Sequence, residues 1–102
     1  MFLVYITCRN AKEAKNISTS LLKKRLIACA NIAQKIESLY WWKGKIVSVK
    51  ESLLLCKTTK KFIRVIKKEV KKIHSYSIPC IEFIEISDQN KEYLKWVQKE
   101  LG

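Results

Sequence analysis

Two long alternating runs meet at Lys43-Gly44, and no other feature of this 102-residue sequence narrows its fold as much. Over residues 27–42 apolar side chains recur with period two. Ala28, Ala30, Ile32, Ile36, Tyr40 and Trp42 share one face; Ile27, Cys29, Ala33, Leu39 and Trp41 share the other. The return run, 45–58, sets Val47, Val49, Leu53 and Leu55 on one side. Gly44 supplies the positive φ that a tight turn needs. The result is a hairpin longer than the usual five or six residues per strand.

The flanking segments complete a sheet and a helix layer. Residues 2–8 alternate, with Phe2, Val4, Ile6 and Cys8 opposed to Leu3, Tyr5 and Thr7. A helix follows at about 10–26, opened by Asn10 with Glu13 three residues on and striped by Ala14, Ile17, Leu21 and Leu22. A second helix covers about 60–73, with Phe62, Val65, Ile66, Val70 and Ile73 as its stripe. Pro79 ends the loop after it, and a strand at about 80–87 and a helix at about 90–101 close the chain. Tyr93, Leu94, Val97 and Leu101 are the inward positions of that last helix.

This order predicts a single domain, residues 1–102, of the α+β class. It is ferredoxin-like, βαββαβ plus a C-terminal helix, with a four-stranded antiparallel sheet and both main helices on one face. The sheet's other face collects Leu3, Tyr5, Ile27, Ala33, Leu39, Trp41, Ile46, Leu54 and Cys56, too apolar for water. One short helix cannot cover it, so a homo-oligomer is expected.

Lys plus Arg number 21 against 9 acidic residues, a net charge of +12. Only three of the 21 are Arg, the residue that specific nucleic-acid readers favour. The charge therefore reads as solvated helix faces, with no specific nucleic-acid partner. No apolar run is long enough to span a bilayer, and the opening residues carry no basic leader, so a soluble cytoplasmic protein is expected. Cys8, Cys29, Cys56 and Cys80 lie too far apart for the paired spacings of zinc or iron–sulfur motifs. With no export signal, disulfides are not expected.

The segments YITC (5–8), KRLIACANI (24–32), YWWKGKI (40–46), LLLCKT (53–58), HSYSIP (74–79) and YLKWV (93–97) resemble the CutA family of divalent-cation tolerance proteins. They stand in family order across essentially the whole chain. The resemblance implies a tight homotrimer, similar in architecture to the PII signalling proteins. It also implies a non-enzymatic role in tolerance of, or response to, copper and other divalent metals. The chain departs from the family pattern at Ile73, where copper-linked members often carry a second His, and at Ile6, where some carry Cys. It departs again at Cys80, where Glu is usual, and at Gln89, where Gly is frequent.

His74, the only histidine, is a candidate copper ligand at a subunit junction or, alternatively, a helix-terminal cation. Cys29 and Cys8 are the accompanying soft ligands, or packed small residues. Tyr40, Trp42, Glu51, Lys57 and Tyr76 are candidates for a small-ligand pocket in a cleft between protomers, with Lys57 as the positive group for an anion. Catalysis has little support: no carboxylate neighbours the histidine in sequence, and Gly44 and Gly102 form no phosphate loop. Two other functions compete. One is a structural or signalling PII-like trimer without a metal site. The other is an RNA-binding ferredoxin-like module, against which the aliphatic LLLCKT strand offers no stacking platform.

Overall fold

A computed structural model describes residues 1–102. The elements run β1 Phe2–Cys8, α1 Ala11–Lys23, β2 Cys29–Trp42, β3 Lys45–Thr58, α2 Ile63–Ile73, β4 Ile81–Glu85 and α3 Lys91–Leu101. A 3-10 turn, Lys60–Phe62, leads into α2. The strands order as β2-β3-β1-β4, every neighbour antiparallel, which is the ferredoxin-like arrangement. The helix ends follow local chemistry. Asn10 caps α1 by accepting the Glu13 N–H at 2.9 Å. Arg25 takes φ +56°, where its N–H reaches Leu22 O and the next N–H reaches Leu21 O, a closing motif usually built on glycine.

At the hairpin tip both Lys43 (φ +51°) and Gly44 (φ +78°) are left-handed, as a two-residue primed turn requires. Lys43→Asn should therefore raise stability by up to about 1 kcal/mol, read as a higher urea midpoint at unchanged slope.

Twelve buried residues between the sheet and α1/α2 form the main core, with Val4, Ile6 and Cys8 of β1 facing Ile17, Leu21, Ile66 and Val70. The pairing corrects three expectations. Leu54 and Cys56 pair with Ile6 and Val4 on the helix side and are fully buried, so they do not belong to the outer face. Ile27 is also buried in the core. The Leu53–Cys56 run is apolar on both faces, so its alternation cannot say which face meets the helices, and the outer assignment of Leu54 and Cys56 is reversed by their pairing with β1.

The second correction concerns β2. Ala33 pairs with Leu53 but Ile36 pairs with Glu51, so two β2 residues oppose the single Ser52. This is a β-bulge. Ser52 Oγ donates to Gln34 O at 2.6 Å, satisfying a carbonyl at the break in the ladder. The extra residue exchanges the faces of β2. Ala30 and Ile32 lie on the helix side, while Ile36, Tyr40 and Trp42 lie on the outer side. Third, Leu22, Val65 and Ile73 are exposed rather than core, because the two helices bury narrower stripes than the apolar pattern allowed.

β1 pairs with β3 only over Ser52–Thr58, so the distal halves of β2 and β3 project as a two-stranded arm about 20 Å long. The molecule measures 45 × 26 × 22 Å. Leu39, Trp41, Trp42 and Ile46 are exposed on this arm. α3 joins through a separate buried pair, Val97 and Leu101, outside the main core cluster. No helix is long and apolar enough to cross a membrane.

Candidate functional site

The sheet end at the C-terminus of β1 brings three elements together. Cys8 ends β1, Glu13 sits in the first turn of α1, and His74 follows the last turn of α2. Their ligand-type atoms all lie within 4.8 Å of one another, the one such group in the chain. Glu13 Oε1 accepts the Arg9 N–H at 2.8 Å and Oε2 accepts the Ser75 N–H at 2.9 Å. Burial pulls its pKa up, but the hydrogen bonds from Ser75 and Arg9 outweigh it and leave the carboxyl below its ordinary value. Burial, with Glu13 and Glu51 close by, pushes the Cys8 thiol up to about 12.

His74 is held on both sides of its ring. Tyr76 N–H donates to Nδ1 at 3.0 Å, and Nε2 lies 2.9 Å from Thr7 O. A carbonyl only accepts, so the proton sits on Nε2 and Nδ1 is bare. The ring therefore clasps the end of β1 to the loop after α2. Glu13 Oε1, 4.0 Å from Nδ1, is the neighbouring carboxylate that sequence reading missed. The sequence marked Glu13 only as a helix-capping residue; that same position sets it over the end of β1.

Cys29 is not part of this cluster. It pairs with Lys57 on the opposite face of the sheet, and its sulfur contacts Tyr93 Oη of α3 at 3.1 Å. All four cysteines are free thiols.

The loop after His74 crosses the sheet end to the outer face. There Tyr76 O–H donates to Glu51 Oε2 at 2.7 Å. Burial, then Glu51, raise the Tyr76 phenol pKa, so it remains a donor. Tyr40, Trp42, Glu51 and Tyr76 line one groove of about 1190 Å³ together with Tyr5, Thr7 and the arm. The bulge creates this grouping, since it puts Tyr40 and Trp42 on the same face of the sheet as Glu51. Lys57 is absent from the groove: it lies six residues along β3 from Glu51, about 20 Å away, beside Cys29. The anion-binding role expected for the groove loses Lys57 as its positive group. The outer faces of the central strands carry Leu3, Tyr5, Leu53 and Leu55, a single aromatic and no base-stacking platform.

Residues 2–100 match the model of the family described as CutA1 divalent ion tolerance protein. A divalent-cation tolerance protein CutA from Pyrococcus horikoshii is 39% identical over 100 residues, covering 98% of this chain and 97% of the relative. One from Thermotoga maritima is 41% identical over 99 residues, covering 97% of each chain. The solved structure of the periplasmic divalent cation tolerance protein CutA from Archaeoglobus fulgidus superposes with a TM-score of 0.96 at 39% identity, over 100% of both chains. That periplasmic neighbour overturns the cytoplasmic expectation. The apolar opening residues are strand β1 of the sheet and carry no information about compartment.

Proposed function

The chain belongs to the CutA1 divalent ion tolerance family, and from that membership we propose a homotrimer that takes copper or another divalent cation without catalysing a reaction. The observation that carries the metal reading is the convergence of a thiol, an imidazole and a carboxylate at Cys8, His74 and Glu13. This mixed donor set fits a borderline cation such as Cu(II) or Zn(II). Binding has two local costs: the Cys8 proton must leave, and Tyr76 N–H must release Nδ1 if that nitrogen is to ligate. Neither Ile6 nor Ile73 offers a donor. A resident metal would act as a Lewis acid and charge centre. The chain's own part is to orient it through the backbone bonds that fix Glu13 and His74.

The trimer rests on the arm. A lone two-stranded hairpin is marginal in water, and this one exposes apolar side chains on both faces. A non-enzymatic role agrees with His74, whose two ring nitrogens are both engaged by backbone.

Native mass spectrometry with metal analysis tests both parts: three 12.0 kDa chains give about 36 kDa. Calorimetric titration with Zn(II) and Cu(II) should show binding that is lost in His74→Ala and weakened in Cys8→Ser. The Cys8 thiol is protonated throughout the neutral range, so each bound metal displaces a proton. Apparent affinity should rise about tenfold per pH unit between about pH 6 and 8. Equal binding by wild type and both variants, or no pH dependence, removes the site.

A further inference from the structure

The densest charge in the chain lies away from the outer sheet face and the arm, on α2 and the turn before it. Residues 60–72 hold seven of the 21 cationic side chains and a single acid, Glu69. Ile66 and Val70 bury one side of α2 in the core. The opposite side is cationic: Arg64, Lys67, Lys68, Lys71 and Lys72 are all exposed. The first four border a shallow depression of about 270 Å³ that has no acidic or apolar lining. Glu69 does not answer them, because it is bonded to Lys24 beyond the end of α1.

Solubility does not account for this face. Outside residues 60–72 the chain still carries 14 cations and 8 acids, a net charge of +6. A face built only for water sets acids four residues from its lysines. This one repeats like charges at that spacing: Arg64 with Lys68, Lys67 with Lys71, Lys68 with Lys72. Each such pair weakens a helix. Lys60, Lys61 and Arg64 also stand at its positive end, where no acid occupies the first turn. The arrangement works against α2 unless an anion lies across it.

Shape and composition narrow the anion. α2 contains no aromatic residue, so unpaired bases have nothing to stack on. Its only exposed apolar residues are Val65 and Ile73, too little for the apolar face by which a helix lies in a membrane interface. Six of the seven cations are lysines, which hold phosphate as point charges and lack the Arg fork that reads guanine. Lys67 with Lys71, and Lys68 with Lys72, form two rows about 100° apart around the helix. A helix about 10–12 Å across matches the major groove of duplex DNA, about 12 Å wide, with a phosphate strand along each border.

We propose that α2 binds duplex DNA through its phosphates, without reading sequence, one lysine row to each strand and Arg64 between them. The surface uses no residue of the Cys8–Glu13–His74 cluster. It lies on the helix layer, so the outer face remains available to other copies of the chain.

The test is fluorescence anisotropy of a labelled duplex DNA titrated with the full chain at several salt concentrations. Binding should be micromolar at physiological salt, and log K should fall against log salt with a slope of about −4 to −6, as for about five to seven phosphate contacts. Duplexes of unrelated sequence should compete equally. A variant carrying Lys67→Gln, Lys68→Gln and Lys71→Gln should lose tenfold or more in affinity and about three units of slope. Its melting temperature should not fall, because like-charge repulsion along α2 is relieved. Replacing the same three residues with Arg keeps the charge and should keep the binding. The matched control is Lys91→Gln, Lys95→Gln and Lys99→Gln on α3, which removes the same charge from exposed positions and should change affinity less than about threefold. Equal losses in the two Gln variants would mean that net charge alone attracts DNA, and the proposal falls. It falls also if no duplex binds at about 100 μM protein. Binding to phosphatidylserine vesicles, lost in the α2 Gln variant and without any duplex binding, would assign the face to a membrane surface and overturn it equally.

Discussion

Leu54→Ala is expected to lower the unfolding free energy by about 2–5 kcal/mol, the range for emptying a fully buried leucine site. Leu54 pairs with Ile6 on the helix side of the sheet and joins the main core cluster, where the cavity could not fill with water. Leu55, its neighbour, points the other way, pairs with Tyr5 and remains partly accessible. Leu55→Ala should cost the protomer far less and act mainly on assembly. Urea unfolding of the two variants at matched concentration, beside sedimentation, separates the effects. The reverse ranking would mean that β3 presents its other face to α1 and α2.

The second large effect concerns the arm. Trp41 and Ile46 are cross-strand partners, 71% and 64% exposed. Replacing both with Ser should convert the proposed trimer, about 36 kDa, into the 12.0 kDa chain at micromolar concentration. The two side chains would remove roughly 5 kcal/mol of apolar burial per protomer if an interface covers them. Melting should also lose its dependence on protein concentration, because assembly no longer contributes to stability. A double variant that keeps the trimer mass would show that the arm is not part of the interface.

Much of the fold was legible because its signals are local. The alternation of residues 2–8 and 45–58 marks β1 and β3 at their observed limits. Asn10 and Glu13 announce the start of α1 within one turn. What the sequence withheld depends on pairing. Gln34 and Lys35 are exposed polar residues that interrupt no apolar pattern, so nothing marks the bulge between them. Every side assignment beyond it was therefore inverted relative to Ala30 and Ile32. The candidate site was half legible for the same reason. Cys8, His74, Glu51 and Tyr76 stood out by residue type, but which of them meet depends on where α1, α2 and the loop cross the end of β1. Glu13 hid behind its capping role, and Lys57 and Cys29 proved to belong to the far end of the sheet.

The bulge also sets a rule for how this hairpin can change. Adding one residue to each strand between Ile36 and the tip would swap the arm's two sides, putting Tyr40 and Trp42 on the face opposite Glu51. Only steps of two residues per strand keep them on the face that carries the carboxylate. The reach of the arm is thus quantised, in increments of about 7 Å. A relative with a longer or shorter arm must either keep to that increment or acquire a second bulge to restore the parity.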